Sequence, residues 1–421
     1  MLRGVNTSRI CPLASKCAGL ALLVMLAGAW QKPRVSTQPK LPTAEEINVA
    51  LTELSGITGF RVRKQLPFAL ITREQVNQYL KEQIQQSVKP DEIRAEETTL
   101  KKFGFAPPDF DLKQTTIDLL TEQAAAFYDF KRKKLFISDW ATVNMRQAAL
   151  IHELAHALAD QNVNIQKFTN KGSDNSEASL AREAVVEGQA SWLMLEVGAR
   201  RSGRTLADPQ TAREFLETDA GAQQSDYPVF NNAPLYLRRT LMFPYDEGEK
   251  FQQAVFLRDG MTAFARIFRE PPISTAQIEH PERYFEHTPL ANPDLPKPIK
   301  HAKPFVAGAM GELETRILLE QYVSAALAED LGPKLKGADY RVDENKPSHR
   351  MTLVYASEWT SQDAAAQYFE AYRKILRGKW KSVEVTAESA TRFSGKSEDG
   401  YFAVTLDGNT VLSKEGFERP L

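Results

Sequence analysis

The feature that most constrains the fold is an apolar segment that carries two histidines and a glutamate. The sequence His-Glu-Leu-Ala-His occupies positions 152–156, and alanine, leucine and isoleucine flank it without another charge or a proline. Four residues of α-helix turn about 400°, so His152 and His156 would project from one face, one turn apart. The flanks predict that this helix is buried, where two histidines and a carboxylate are costly unless an ion uses them.

The spacing of the two histidines is typical of a zinc site. Imidazole nitrogens bind zinc at about 2.0–2.1 Å in a tetrahedral arrangement. Glu153 can reach the open coordination position without binding the ion, and its carboxylate can take a proton from water there. The other interpretation is two core histidines with ordinary hydrogen-bond partners. The two cysteines, Cys11 and Cys17, lie near the N-terminus, so histidine and carboxylate are the ligands to expect.

A third ligand is expected on the next strongly helical segment. Glu183 and Glu187 lie one turn apart among apolar residues there. One carboxylate would complete a site of two histidines and a glutamate, and the other could accept a hydrogen bond from a ligand histidine. The alternative is an exposed acidic stripe. Asp160 is a further candidate for a supporting hydrogen bond, or else a surface residue at a helix end.

The N-terminus has the three-part composition of a secretory signal peptide. Three basic residues precede an apolar run at 18–30, and Ala-Gly-Ala at 27–29 matches a small-residue cleavage site. The run is shorter than the roughly 20 apolar residues of a membrane span, and an uncleaved anchor is the alternative. We predict a signal peptide over 1–29, a proline-containing linker over 30–42, and an exported protein, periplasmic or extracellular. Membrane contact is expected only through an uncleaved leader.

Hydrophobic periodicity and turn residues predict an α+β fold. Thr43 and Thr72 begin capping boxes, and a hairpin is predicted across 125–137, whereas residues 87–108 and 205–250 show no clear element. Alternation at Phe60 and Val62 predicts a strand within 58–71. Further helices are predicted at about 113–124, 142–160, 177–200 and 251–269. Beyond residue 310, short strands alternate with helices, which indicates a smaller α+β domain.

The downstream glutamate gives the chain a resemblance to the gluzincins, the clan of thermolysin and of the zinc aminopeptidases. In those aminopeptidases the third ligand precedes a glycine, and Glu187-Gly188 matches that step, which implies Glu187. Thermolysin has a glutamate ligand followed four residues later by a supporting carboxylate, which implies Glu183 as ligand and Glu187 as support. Gluzincins also use a histidine or tyrosine to stabilise the oxyanion. His280 and Tyr245 are candidates for that role, and a structural role in packed turns is the alternative.

A broader resemblance covers most of the chain. The order of motifs is similar to that of a poorly characterised group of exported bacterial proteins with the same histidine motif. The shared segments are Phe127-Tyr128-Asp129, His152–Gln161, Val186–Ala190, Phe243–Tyr245, Pro271–Ile278, His280–Tyr284, Gly337–Tyr340 and Glu358-Trp359. Membership implies a peptidase-like site with the glutamate of the Glu-Gly step as ligand, and implies no particular substrate.

These observations predict a zinc-dependent hydrolase of the peptidase class that acts on a peptide or protein substrate with Glu153 as general base. The alternative is an exported zinc-containing binding or scaffold protein without turnover. A mainly helical zincin-like domain with a small sheet is expected at 43–300, and the small α+β domain at 301–421. The formal net charge of −1 gives no indication of a nucleic-acid partner. Neither the substrate nor the oligomeric state has a signal in the sequence.

Overall fold

The computed structural model describes residues 8–9, 20–22, 42–123, 126–140, 143–171, 175–216 and 227–421. The predicted signal peptide and linker lie outside these residues, apart from two short strand segments and Pro42. Within the described chain, no helix combines the length and apolarity that a membrane crossing requires.

The N-terminal part is mainly helical and contains one small sheet. Its helices are α1 (Ala44–Thr58), α2 (Arg73–Ser87), α3 (Pro90–Phe103), α4 (Leu112–Gln123), α5 (Val143–Val163), α6 (Ile165–Asn170), α7 (Ser176–Arg201), α8 (Pro209–Leu216), α9 (Pro228–Asn232), α10 (Leu235–Asp259), α11 (Ala263–Arg269), α12 (Thr275–Glu279) and α13 (Pro281–Phe285). Its strands are β1 (Phe68–Ile71), β2 (Ala126–Asp129) and β3 (Lys134–Ser138).

The C-terminal part is built on a large antiparallel sheet. Its strands are β4 (Ala302–Ala309), β5 (Leu335–Asn345), β6 (Met351–Trp359), β7 (Val383–Glu388), β8 (Arg392–Ser397), β9 (Gly400–Asp407) and β10 (Thr410–Phe417). Its helices are α14 (Glu312–Tyr322), α15 (Ala325–Leu331) and α16 (Gln362–Lys379). The strand order is β4-β5-β6-β10-β9-β8-β7, and Ser8–Arg9 pairs parallel with β4 at one edge. The predicted α+β class is confirmed, and the division at residue 300 stays a prediction.

The predicted hairpin is confirmed and lies beside α5. β2 and β3 pair antiparallel with Phe127 opposite Phe136, and β1 pairs parallel with β3 with Phe68 opposite Leu135. The segment Leu20–Leu22 pairs with the other edge of β2. All four residues of β2 are buried, as are Leu135 and Ile137 of β3, because the hairpin packs against the apolar face of α5.

Both predicted capping boxes are confirmed. Thr43 accepts a hydrogen bond from the Glu46 amide, whose carboxylate accepts one from the Thr43 amide, and Thr72 and Gln75 repeat the exchange. Each pair satisfies backbone N–H groups that would otherwise lack partners in the first turn of a helix. The cap residues therefore set where α1 and α2 begin.

Two element predictions are confirmed only in part. The strand predicted within 58–71 is limited to Phe68–Ile71, and residues 60–62 are not part of it, because the side-chain amide of Asn162 in α5 takes the backbone hydrogen bonds of Arg61 that a neighbouring strand would provide. The helix α10 begins at Leu235, within the segment 205–250 where no clear element was predicted, and it has Pro244 in its interior; its last residues, 251–259, fall within the helix predicted at 251–269. A proline removes one helical hydrogen bond and disfavours a helix locally, but the long packed face of α10 outweighs that cost.

Candidate metal centre

The helix α5 carries the histidine motif through the middle of the N-terminal part. Leu154, Ala157 and Leu158 are buried, and His152, Glu153 and His156 are each at most 1% exposed. The burial predicted from the apolar flanks is therefore observed. Because β2 and β3 cover one side of α5 and α7 packs against another, the polar side chains of the motif meet protein groups instead of solvent.

Three side chains from two helices converge on one point. His152 Nε2 lies 2.9 Å from His156 Nε2 and 3.1 Å from Glu187 Oε2, and His156 Nε2 lies 3.2 Å from the same oxygen. We call these three residues the metal-ligand cluster. Among the described residues, they are the histidine, cysteine or carboxylate groups whose ligand atoms lie close enough together to hold an ion. The spacing of the histidine motif predicted His152 and His156, and the Glu187-Gly188 step implied Glu187.

The triangle has the dimensions that a zinc ion needs. Ligand atoms at about 2.0–2.1 Å from a tetrahedral ion lie about 3.3–3.4 Å from one another. The three observed separations of 2.9–3.2 Å are slightly shorter, so a small outward movement would accommodate the ion. Nδ1 of His152 is buried without a hydrogen-bond partner. Two imidazoles and a carboxylate form the donor set of many zinc sites with an open position, so these residues fit zinc.

Glu153 is oriented by the hairpin. Its Oε2 accepts a hydrogen bond of 2.7 Å from the Tyr128 amide of β2, while Oε1 is buried without a hydrogen-bond partner. The glutamate lies next to His152 in sequence, but its carboxylate is outside the metal-ligand cluster. One oxygen is therefore fixed, and the other is left available for a proton or a water molecule. Sequence patterns did not indicate that a backbone amide would hold this side chain.

A close crossing of α7 and α10 positions Glu187. A Cβ atom added to Gly188 would lie 2.1 Å from the backbone of Gly248, and one added to Gly248 would lie 2.3 Å from the Ala184 oxygen. The two helices thus touch backbone to backbone immediately after Glu187. This contact explains why a glycine follows the third ligand and why a second glycine stands three residues after Tyr245.

Tyr245 lies beside the metal-ligand cluster and contacts two of its three residues. Its ring stacks on the His152 ring with centroids 6.0 Å apart and planes inclined by 27°. Burial, followed by the negative charge of Glu187, raises the pKa of Tyr245, whose hydroxyl is also hydrogen-bonded with Glu187. The sequence left two alternatives for this tyrosine, an oxyanion donor or a structural residue in a packed turn. In the structure it lies within a helix, fully engaged with two of the ligands.

Burial and mutual contact control the ionisation of the site. Burial lowers the pKa of His152 to about 4, which favours the neutral imidazole that binds metals. Burial by itself would raise the pKa of Glu187, but the hydrogen bonds and charges of His156 and His152 outweigh it and lower that pKa to about 2. Burial, helped by the Glu187 carboxylate, raises the pKa of Glu153.

The remaining candidates lie in different surroundings. Asp160 accepts hydrogen bonds from the Tyr128 hydroxyl at 2.9 Å and the Ile165 amide at 3.0 Å, and it pairs with Lys133. It therefore supports the hairpin and the end of α5, and it has no hydrogen bond to a ligand histidine. Glu183 is buried one turn before Glu187 and is outside the metal-ligand cluster.

His280 is bonded elsewhere in the molecule. Its Nε2 lies 2.8 Å from Glu312 Oε1, and Arg283 binds the other oxygen of the same carboxylate at 3.0 Å. This ion pair joins the segment after α12 to the start of α14. The structure thus gives His280 a partner at the junction with the C-terminal part, and the expected oxyanion role has no support in its contacts.

Comparisons with known proteins cover two separate stretches. Residues 306–419, which include nearly all of the large sheet, match a domain of unknown function (DUF8575). No curated protein and no solved structure shows significant similarity to the chain. Residues 109–197, which hold His152, Glu153, His156 and Glu187, match the IrrE N-terminal-like domain (Peptidase M78), a zinc metallopeptidase-like family.

Proposed function

We propose that the protein is a zinc-dependent peptidase, with His152, His156 and Glu187 as the metal ligands. The observation that carries the proposal is the convergence of these three ligand atoms beside a fourth group, Glu153, which has one oxygen fixed and the other unpartnered. Three protein ligands leave one tetrahedral position open, as in catalytic sites, whereas structural sites are closed by four. The match of residues 109–197 to a metallopeptidase-like family supports the same activity.

The chain's own residues would perform the proton transfers. A zinc ion in such a site supplies Lewis acidity, which acidifies water and polarises a carbonyl. Glu153 would accept a proton from the attacking water on its free Oε1 and then deliver that proton to the leaving amine. The Tyr128 amide would hold Oε2 throughout, which keeps the carboxylate in one orientation. Tyr245 would fix Glu187 and the His152 ring in place.

The substitution Glu153→Gln tests this mechanism. We expect the variant to retain zinc, because Glu153 is not a ligand, and to lose hydrolysis by a factor of about 10²–10⁴, the usual contribution of general acid–base catalysis. Zinc content would be measured by elemental analysis and hydrolysis with a mixture of fluorogenic peptides. Activity retained at the wild-type rate would eliminate the mechanism.

A matched pair of variants tests which glutamate is the third ligand. We expect Glu187→Ala to lose zinc and Glu183→Ala to keep it, because Glu187 alone of the two lies in the metal-ligand cluster. Elemental analysis of both purified variants provides the measurement. Zinc loss confined to Glu183→Ala would assign the ligand as in thermolysin and reject the arrangement proposed here.

We further propose a gluzincin type of site and an exported protein. A glutamate ligand on a helix downstream of the histidine motif supports the first proposal. The basic residues, apolar run and small residues of the first 29 positions support the second. N-terminal sequencing of protein recovered from the periplasm or the medium tests export, and an intact N-terminus at Met1 would contradict cleavage of the leader.

A structural zinc site without turnover is the second candidate. The observation that favours it is the burial of the cluster, since none of the three ligands is more than 4% exposed. Both candidates predict zinc binding, and they differ in the effect of Glu153→Gln. Under the scaffold reading, wild type and variant would hold equal zinc and hydrolyse no peptide, and removal of the ion by a chelator would lower only thermal stability.

A further inference from the structure

Two basic segments that are distant in sequence lie together beside the candidate site. One comprises residues 61–64 and the other residues 131–134, and seven of these eight residues are arginine or lysine. The sequence alone indicated a solvated turn for the second segment. We define the basic patch as Arg61, Arg63, Lys64 and Lys131–Lys134. Six of its side chains are exposed, and that of Lys134 is half-buried.

The small sheet and the end of α5 bring the two segments together. The first segment leads into β1 and the second into β3, and these strands pair in parallel from Phe68 opposite Leu135. The Leu135 amide also donates a hydrogen bond of 2.9 Å to the Pro67 oxygen. Both basic segments therefore lie at the same end of the sheet, where β1 and β3 begin.

Three consecutive residues of α5 contact the basic patch, and two of them bind the backbone of its first segment. Gln161 accepts hydrogen bonds from the amides of Arg63 and Lys64 at 2.7 and 3.0 Å. Asn162 exchanges two hydrogen bonds with the backbone of Arg61, at 3.2 and 3.1 Å. Asp160, which precedes Gln161 in α5, pairs with the side chain of Lys133. The backbone of the first segment is fixed by these contacts, while its side chains extend into solvent.

The charge of the basic patch is only partly neutralised. Asp160 pairs with Lys133, and Asp129 lies 3.6 Å from Arg132; both carboxylates are almost fully buried. With these two pairs and Lys131, which has contacts of its own, set aside, the positive charges of Arg61, Arg63, Lys64 and Lys134 have no ion-pair partner among the described residues, on a chain with a formal net charge of −1. Such a concentration of one sign attracts oppositely charged ligands and orients them before contact.

The basic patch adjoins the candidate active site. The second segment follows β2 directly, and β2 supplies the amide that holds Glu153. Phe130, the residue between them, packs edge-on against the His156 ring with centroids 6.0 Å apart. The basic patch therefore begins at the residue that follows a ring in contact with the metal-ligand cluster, so a peptide bound at the cluster would have the patch within a few residues of its reacting bond.

We propose that the basic patch selects peptide substrates that carry acidic side chains a few residues from the bond to be cleaved. This inference rests on the proposed peptidase function and specifies the substrate class of the same site. The carboxylates of such a peptide would pair with exposed lysine and arginine heads. Exposed pairs of this kind contribute little individually, so several must act together to give selectivity.

The test separates binding from cleavage. In a Glu153→Gln background, fluorescence anisotropy would measure the dissociation constants of three short labelled peptides that carry glutamate, glutamine or lysine at the same positions. We expect the glutamate peptide to bind about tenfold more tightly than the glutamine peptide at an ionic strength of about 0.1 M. The preference would disappear at about 1 M, where the Debye length falls from about 10 Å to about 3 Å.

A charge-reversed variant and a matched control locate the effect. Arg63→Glu with Lys64→Glu keeps the backbone contacts to Gln161, and we expect it to abolish the preference for the glutamate peptide. Lys297→Glu with Lys374→Glu changes the same number of charges at exposed positions outside the basic patch, and we expect it to retain the preference. Circular dichroism would verify folding, and Lys131→Glu provides an independent second variant.

Other outcomes would overturn the inference or the function separately. Equal binding of the glutamate and glutamine peptides, or a preference that survives charge reversal, would overturn the substrate class. Tighter binding to phosphatidylserine vesicles than to the glutamate peptide would assign the basic patch to a membrane and reject the proposal. Cleavage of all three peptides by the wild type without preference would leave the peptidase function standing. A preference for the glutamate peptide without any cleavage would support the basic patch and contradict the peptidase function.

Discussion

Tyr245 contacts two of the three candidate ligands at once. Its ring stacks on His152, and its hydroxyl is hydrogen-bonded with Glu187. Groups that orient metal ligands in this way are energetically important, because they fix the ligand before the ion arrives. The tyrosine therefore acts as a positioning residue for the site, and its effect should appear in zinc affinity.

We predict that Tyr245→Phe weakens zinc binding by about 10–100-fold, the range typical of lost support to a metal ligand. The phenyl ring keeps the stacking on His152, so the change isolates the hydroxyl. A competition titration against a chromophoric chelator would measure the affinity. Tyr284→Phe is the control, because its hydroxyl donates to the Glu270 oxygen away from the cluster. Equal zinc affinities in the two variants would contradict the positioning role.

At this scale the sequence predicted His152, Glu153 and His156, and it predicted Glu187 as the third ligand with Glu183 as the alternative. His152, Glu153 and His156 follow from a short local motif whose geometry is set by helical periodicity. Glu183 and Glu187 lie on one helix only one turn apart, so periodicity could not separate them. The choice depends on the position of α7 relative to α5, which is a long-range property that a local pattern does not contain.

The crossing of α7 and α10 is the element contact that shapes the centre. The helices meet at Gly188 and Gly248 with no side chain between them. Side chains normally keep packed helices 8–10 Å apart, and glycines allow a closer approach. This approach places Tyr245 against the ligands, so the position of one helix fixes groups contributed by another.

We predict that Gly188→Ala and Gly248→Ala each lower the free energy of unfolding by about 1–3 kcal/mol, the usual cost of forcing an extra group into a packed interior. Both should also weaken zinc binding, because the helices must separate next to Glu187. Gly56→Ala is the control, since nothing lies within 4 Å of a Cβ at that helical position. It should stabilise α1 by about 0.5–1 kcal/mol. Chemical denaturation would measure all three, and unchanged stability at position 188 would refute the contact.

Prediction at the scale of elements succeeded where local signals agreed. The hairpin, α5 and α7 follow from alternation, helical periodicity and caps. The first part of α10, residues 235–250, was missed because Pro244 lies inside it, and tertiary packing sustains a helix that local preference disfavours. The strand predicted within 58–71 forms only at Phe68–Ile71. The alternation at Phe60 and Val62 gives no strand, because α5 supplies side-chain partners in place of a neighbouring strand.

On the scale of the whole molecule, α3 joins the two parts of the chain. Phe103 at its end packs edge-on against Tyr340 of β5 and Tyr355 of β6, with centroids 5.3 and 5.4 Å apart. Lys102 binds Asp399 at 2.8 Å. A helix from the N-terminal part thus covers aromatic residues of the large sheet. In sequence, α3 lies between segments of the N-terminal part. No sequence pattern predicted that it would contact strands more than 200 residues later.

We predict that Phe103→Ala lowers the free energy of unfolding by about 3–5 kcal/mol, the usual cost of removing a buried phenyl ring. Its partners belong to the C-terminal sheet, so the loss should lower the melting temperature of that sheet as well as that of α3. Thermal unfolding followed by circular dichroism and by tryptophan fluorescence would report on both. A wild-type melting temperature in the variant would show that the two parts are stable independently of this contact.

The side-chain amides of Gln161 and Asn162 hold the backbone of residues 61–64, so the conformation of this segment does not depend on which side chains it carries. Every hydrogen bond in these contacts ends on a backbone atom of that segment. Replacing the outward side chains therefore leaves the conformation of the loop intact. Natural variation, or a designed library, can change the side chains that the loop presents while the metal-ligand cluster stays unaltered. The segment is a site where new selectivity can evolve at little risk to folding.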